Sequence, residues 1–177
     1  MASTVSIAEI KRRARERADM VQSAFVSDEE LLDMINEAYA ELYDLIIMAF
    51  GNYYITDGSI TLVPGTSAYP LPADFYKLVA LDLLSGTQYN TMFPYNELER
   101  NSTLSTASSI PNATVRIRYI KAPTRWTSDA DLVDTIAGWE SLLITDVAIM
   151  MLDKEESDTD RLERRRQREY KRIEQMA

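Results

Sequence analysis

The chain has 177 residues, 46% of them hydrophobic, enough to bury one core and to leave any second domain small. It has no cysteine and no histidine, which excludes disulfide frameworks, thiolate or imidazole zinc sites, Ser-His and Cys-His dyads and the usual neutral-pH proton shuttle. The formal charge of −9 hides an asymmetry: residues 21–152 hold six basic against seventeen acidic side chains, a net of −11, and the ends hold the rest of the Lys and Arg, so broad electrostatic wrapping of nucleic acid is disfavoured.

Residues 1–6 lead straight into Lys11, Arg12, Arg13, Arg15 and Arg17, and no run approaches the roughly 20 apolar residues of a membrane span. Neither an export signal nor a membrane segment is expected, and a reducing cytosol suits the chain. Ser6-Ile7-Ala8-Glu9 reads as a capping box with Val5 and Ile10 at the staple positions, predicting a helix from Ile7 to Met20. Ser27-Asp28-Glu29-Glu30 repeats the device between Val26 and Leu31 and opens a longer helix to about Phe50. The apolar residues of this second helix, from Leu31 and Ile35 to Ile46 and Phe50, cover more than one stripe. It is expected to be central, or shared with a neighbouring subunit.

At Gly51 the pattern changes to β-branched and aromatic residues broken by Gly and Pro. Asp57-Gly58 and Pro64-Gly65 are read as turns around a short strand from Ile60 to Val63, and Tyr69-Pro70-Leu71-Pro72 is too proline-rich for mid-sheet. Phe75 to Leu84 reads as a strand. Pro94 can open a short helix through Glu97 and Arg100, followed by an exposed Ser/Thr-rich loop from Asn101 to Ser109. Val115, Ile117 and Tyr119 alternate with Arg116 and Arg118, a strand with one wet face. From about Asp131 the helical period returns with Trp139, Leu143, Val147, Met150 and Met151, and Ser157 to Asp160 can cap a last helix to Met176. The expected class is α+β: a helical bundle layer of two N-terminal and two C-terminal helices with a β-rich insert. The expected divisions are residues 1–52, 53–124 and 125–177, the last completing one helical domain with the first.

The five glycines are too scattered for a phosphate-cradling loop. Asp129, Asp131 and Asp134 form the densest carboxylate cluster, but Asp134 stands where an EF-hand loop needs its glycine; carboxylates at a helix start account for them. No metal, cofactor or catalytic residue is assigned, and the chain is read as a non-enzyme. Arg116, Arg118, Tyr119, Lys121, Arg125 and Trp126 interleave bases with aromatics as a base-stacking surface would, yet a strand's wet face followed by a buried Trp looks the same. A cytosolic nucleic-acid-binding regulator that uses the basic ends is the alternative function.

The sharper feature is the run from Arg161 to Arg172. On a helix, Arg161, Arg164, Arg165, Arg168, Lys171 and Arg172 recur at three- and four-residue steps and share one side, over a thin seam of Leu162, Ile173 and Met176. One reading is a solvated helix held by pairs such as Asp160 with Arg164, each worth about 0.2–0.5 kcal/mol. The other is a docking helix whose guanidiniums meet a partner's carboxylates. A seam this thin leads to the expectation that residues 157–177 are mobile in the free subunit and order on docking.

The chain resembles the head-to-tail adaptor (connector) proteins of tailed bacteriophages, including the podovirus tail tubular protein A type. The likeness rests on Asp28-Glu29-Glu30-Leu31-Leu32 through Asn36-Glu37-Ala38-Tyr39-Ala40-Glu41-Leu42-Tyr43, on Tyr69-Pro70-Leu71-Pro72-Ala73-Asp74-Phe75-Tyr76-Lys77-Leu78, and on helices flanking a β insert with a charged terminal helix. The resemblance implies a structural virion protein made in the host cytoplasm and placed at the head-tail junction. It implies a homo-oligomeric ring, usually of twelve copies, that joins the portal protein to a tail or nozzle protein and lines the DNA exit channel without sequence-specific binding. Portal docking through a C-terminal segment carries over to Arg164, Arg165, Arg166, Arg168, Lys171 and Arg172.

Overall fold

The computed structural model describes residues 4–63, 65–66, 68–85, 87–92 and 113–176. In chain order it contains α1 (Ile7–Arg17), α2 (Asp28–Ala49), β1 (Ile55–Thr61), β2 (Phe75–Ser85), β3 (Gln88–Met92), β4 (Thr114–Lys121), α3 (Glu140–Lys154) and α4 (Asp160–Met176). Helices at both ends with an antiparallel sheet between them give the expected α+β class. The backbone falls into two compact units, Met1–Gly51 with Pro123–Ala177, and Asn52–Ala122. The short helix after Pro94 and the loop from Asn101 to Ser109 lie outside the described residues.

In the helical unit, α2 starts as its sequence demands. Ser27 Oγ accepts from the Glu30 amide at 3.2 Å and Glu30 returns a carboxylate to the Ser27 amide at 3.0 Å, a complete capping box. At α1 only half of the box forms: Ser6 Oγ accepts from the Glu9 amide, while the Glu9 carboxylate turns outward to Arg12. The orphan amides at the start of α1 find another solution. Ile7 and Ala8 donate to the carbonyls of Asp131 and Asp129 at 2.9 and 3.0 Å, and Val133 donates back to Val5. This pairing corrects the helical start expected near Asp131: the segment is held extended against the entry to α1, and α3 begins only at Glu140.

Helix α1 stops at Arg17, short of the expected Met20. Asp19 takes φ 59° while the amides of Asp19 and Met20 donate to the carbonyls of Glu16 and Arg15, a Schellman motif without its usual glycine. Helix α3 ends identically, with Glu156 at φ 57° and Ser157 donating to Leu152. The core of the unit is supplied by Ile7 and Ile10 of α1, by Leu31, Ile35, Tyr39, Leu42, Tyr43 and Ile46 of α2, and by Leu143, Ile144, Val147 and Met151 of α3, all essentially inaccessible. Burial of each large aliphatic chain contributes about 1.5–3 kcal/mol, which makes α2 the central helix. Asn36 holds Trp126 by both of its backbone groups, accepting from its amide at 2.8 Å and donating to its carbonyl at 3.1 Å. The Tyr39 ring lies 4.1 Å from the indole, so the Asn36 to Tyr39 stretch of α2 fixes where the chain returns to the helices.

In the sheet unit the strand order is β1-β4-β2-β3, antiparallel throughout. Alternation along β4 buries Val115, Ile117 and Tyr119 and leaves Arg116 and Arg118 on the wetter face, as its pattern requires. Strand β1 runs from Ile55, so Asp57-Gly58 is mid-strand and not a turn. Gly58 pairs with Ile117, and an added Cβ there would stand 3.1 Å from Ile117 Cγ2; glycine answers a close approach across the sheet, not a bend. Strand β3, exposed along its whole length, has no alternation by which to be foreseen.

Candidate functional site

Helix α4 is seated through both apolar and polar contacts. Leu162 and Ile173 are buried, whereas Met176, the third member of the expected seam, is exposed. Between Leu162 and Ile173, Glu169 accepts from Ser141 Oγ at 2.7 Å and from Thr145 Oγ1 at 2.8 Å on α3, and from Arg165 Nε at 3.0 Å. Burial alone would raise the Glu169 carboxyl; these hydrogen bonds outweigh it and hold the group below its ordinary value. Arg17 of α1 joins the cluster by donating to Ser141 O at 2.9 Å and Thr145 Oγ1 at 2.6 Å.

The six arginine and lysine positions singled out on α4 divide into two groups. Arg166, itself exposed, reaches toward α2 and the buried Asp146: its Nη2 donates to Glu41 of α2 at 2.7 Å and its Nε lies 2.7 Å from Asp146 Oδ1 of α3. The N–H does not point at that oxygen, so the Asp146 contact acts as an ion pair more than a directed hydrogen bond. Burial pushes the Asp146 carboxyl up to about 6 in spite of the guanidinium. Arg165 shares this inner side through Glu169 and Ser141, and the other four form no ion pair among the described residues. Arg164 donates to the main-chain carbonyl of Asp160, not to its carboxylate, and Arg172 to Gly138 O. Arg168 and Lys171 are exposed and pair with no carboxylate among the described residues.

Arg165 and Arg168, together with Arg161, face Arg13 and Arg17 of α1 across a cleft of about 490 Å³. The reading of the sequence missed this convergence. Its only signal was the one-turn spacing of Arg13 and Arg17 on α1, which says nothing of what lies opposite.

The remaining candidates are engaged elsewhere. Arg116 bonds Asp82 at 2.6 and 3.0 Å and lies 4.0 Å over the Tyr89 ring; the guanidinium, with Thr91, holds the Asp82 carboxyl below its ordinary value. Arg118 pairs with Asp57, Arg125 with Asp33, and Trp126 is buried. A base-stacking surface needs these groups free. Asp129 pairs with Lys11 at 2.7 Å and Asp131 accepts from the Thr127 and Ser128 amides, so the cluster is a loop brace and not a helix start. Among the described residues no group of three acidic side chains is placed to hold a metal ion, and no helix is long and apolar enough to cross a membrane.

The structure offers a central apolar helix, a small antiparallel sheet and an arginine-lined terminal helix. The family comparison makes the class particular: the family model of the SU10 adaptor protein matches residues 5–177, and the chain belongs to that family. It is a phage head-to-tail adaptor, a structural component of the virion. No curated protein matches the chain.

Proposed function

We propose that this adaptor forms a homo-oligomeric ring of twelve copies that joins the portal protein to the tail or nozzle and lines the DNA exit channel. In this reading α4 carries the portal contact through Arg164, Arg165, Arg168, Lys171 and Arg172, while Arg166 holds the helix in place. The carrying observation is that Arg168 and Lys171 of α4 are exposed and keep no carboxylate among the described residues, although acidic partners abound in the same unit. Exposed charges of this kind contribute little to stability on their own and give register and attraction to a partner.

The acidic surface has its own part in the reading. Residues 52–122 carry five basic and five acidic side chains, so the −11 of the chain's middle comes from the helical unit. There Asp33, Glu37, Glu41 and Asp44 form an exposed row along α2, a surface that passing DNA does not adhere to. Co-assembly of purified adaptor with portal rings tests the docking: Arg168→Glu with Lys171→Glu should abolish sedimentation of adaptor with portal while leaving the subunit folded. Retained co-sedimentation would remove α4 from the portal contact.

A further inference from the structure

We propose that the cleft between α1 and α4, walled by Arg13 and Arg17 on one helix and by Arg161, Arg165 and Arg168 on the other, receives carboxylate side chains of an acidic protein segment. This deepens the docking reading and rests on it: the contact gains a place and a chemistry, and α1 becomes part of it.

Three observations carry the inference. The first is convergence. Arg13 and Arg17 stand one turn apart on α1, Arg161, Arg165 and Arg168 at three- and four-residue steps on α4, and all five line one cleft of about 490 Å³, within the size of ordinary ligand sites. The second is imbalance. Glu16, the acidic residue on the cleft wall, is already paired with Arg12, Glu169 is consumed by Ser141, Thr145 and Arg165, and Arg13, Arg161 and Arg168 pair with no carboxylate among the described residues. Five guanidiniums gathered around a single inward carboxylate, Glu169, which Arg165 already holds, repel one another. Burial and the nearby Arg165 lower the Arg17 guanidinium accordingly, an arrangement that an incoming anion relieves. The third is cost: two helices spend their facing surfaces on charge where apolar residues would have seated α4 more firmly.

The same facts select the occupant. Guanidinium forks match carboxylates in bidentate geometry. The chain's net charge of −9 and Glu16 on the cleft wall oppose a long polyanion. A short acidic segment, confined within a Debye length of about 8 Å, meets the cations alone.

Calorimetric titration of the full chain at physiological salt with a hexaglutamate peptide, a duplex DNA and inorganic phosphate provides the test. The peptide should bind, and Arg13→Gln or Arg168→Gln should each weaken it by about tenfold or more, since each removes a charge-assisted pair. Arg168→Lys should lose part of that, and Arg164→Gln or Lys171→Gln, outside the cleft, should stay within about twofold. Thermal unfolding of the free Arg13→Gln and Arg168→Gln variants should be unchanged or slightly raised because repulsion is relieved, which a merely structural role would not give. Duplex binding more tightly than peptide and lost on the same substitutions overturns the proposal in favour of nucleic acid. Phosphate saturating at the peptide's concentration, equal losses inside and outside the cleft, or no peptide binding also overturn it. Portal co-assembly that survives Arg13→Gln and Arg168→Gln removes the cleft but leaves α4 docking through its other cations; co-assembly retained in Arg168→Glu with Lys171→Glu, while the parent chain still binds the peptide, strikes the wider reading and not the cleft.

Discussion

Helices α2 and α4 belong to one unit and are held by opposite means. Helix α2 spans 22 residues and buries eight, all apolar or aromatic; α4 spans 17 and buries only Leu162 and Ile173. What α4 lacks in apolar area it recovers through Glu169 and Arg166, each tied to groups on neighbouring helices. The difference teaches where a subunit keeps stability and where it keeps availability. Apolar burial fixes α2 as the scaffold, and a polar seat leaves the rest of α4's circumference free for cations.

The largest test of that contrast is Leu42→Ala in α2, which should cost about 2–5 kcal/mol and lower the midpoint of the whole helical unit in chemical denaturation. An effect below 1 kcal/mol would mean that α2 is not the scaffold.

Next comes the seat of α4. Asp146 has a folded value raised to about 6, so its contribution to stability is complete below its ordinary value and is lost as pH rises through about 6. Asp146→Asn removes that dependence. Relative to the parent chain it should gain stability between pH 4 and pH 7, by at most about 3 kcal/mol, in urea titrations across that range. Arg166→Gln should do the reverse, destabilising most above pH 6, where Asp146 is charged and left with its burial uncompensated. A pH-independent difference for both variants would show that the pair does not hold α4.

Glu169→Gln is a smaller perturbation of the same seat. Replacing a half-buried carboxylate that accepts from Ser141, Thr145 and Arg165 should cost about 1–2 kcal/mol. Amide exchange should quicken along α4 and stay unchanged along α2, with α4 exchanging first even in the parent chain. Equal protection of the two helices in the free chain would erase the contrast and with it the expectation that residues 157–177 order on docking.

Much of this was legible in the sequence wherever the cause was local. The capping box at Ser27 and the apolar period after it depend on residues within a few positions, and the alternation of β4 is written in five consecutive residues. Arg166 was legible too, though grouped with the docking residues: it stands four after Leu162 and seven before Ile173, on the side that helical geometry turns inward. What could not be read depends on distant partners. Gly58 is explained only by Ile117 across the sheet, the late start of α3 only by the pairing of residues 129–133 with the start of α1, and the arginine cleft only by α4 lying beside Arg13 and Arg17. Arg116 and Arg118 had the composition of a nucleic-acid surface because sequence does not show that Asp82 and Asp57 stand opposite.

The smallest expected effect concerns the ends of α1 and α3, where the contrast between scaffold and seat has its hinges. Asp19 and Glu156 take positive φ in Schellman motifs that favour glycine, and both precede segments that set the next helix. Asp19→Gly and Glu156→Gly should each stabilise the chain by about 0.5–1 kcal/mol, because relief of the left-handed strain exceeds the entropy glycine adds to the unfolded state. Glu156 lies in the link between α3 and α4, so its substitution should slow amide exchange in α4 more than in α2, whereas Asp19→Gly should favour α1. If Glu156→Gly instead loosened α4, the strained turn would be holding the helix against its seat and not merely tolerating the geometry, and the polar contacts of Glu169 and Arg166 would share their role with the backbone.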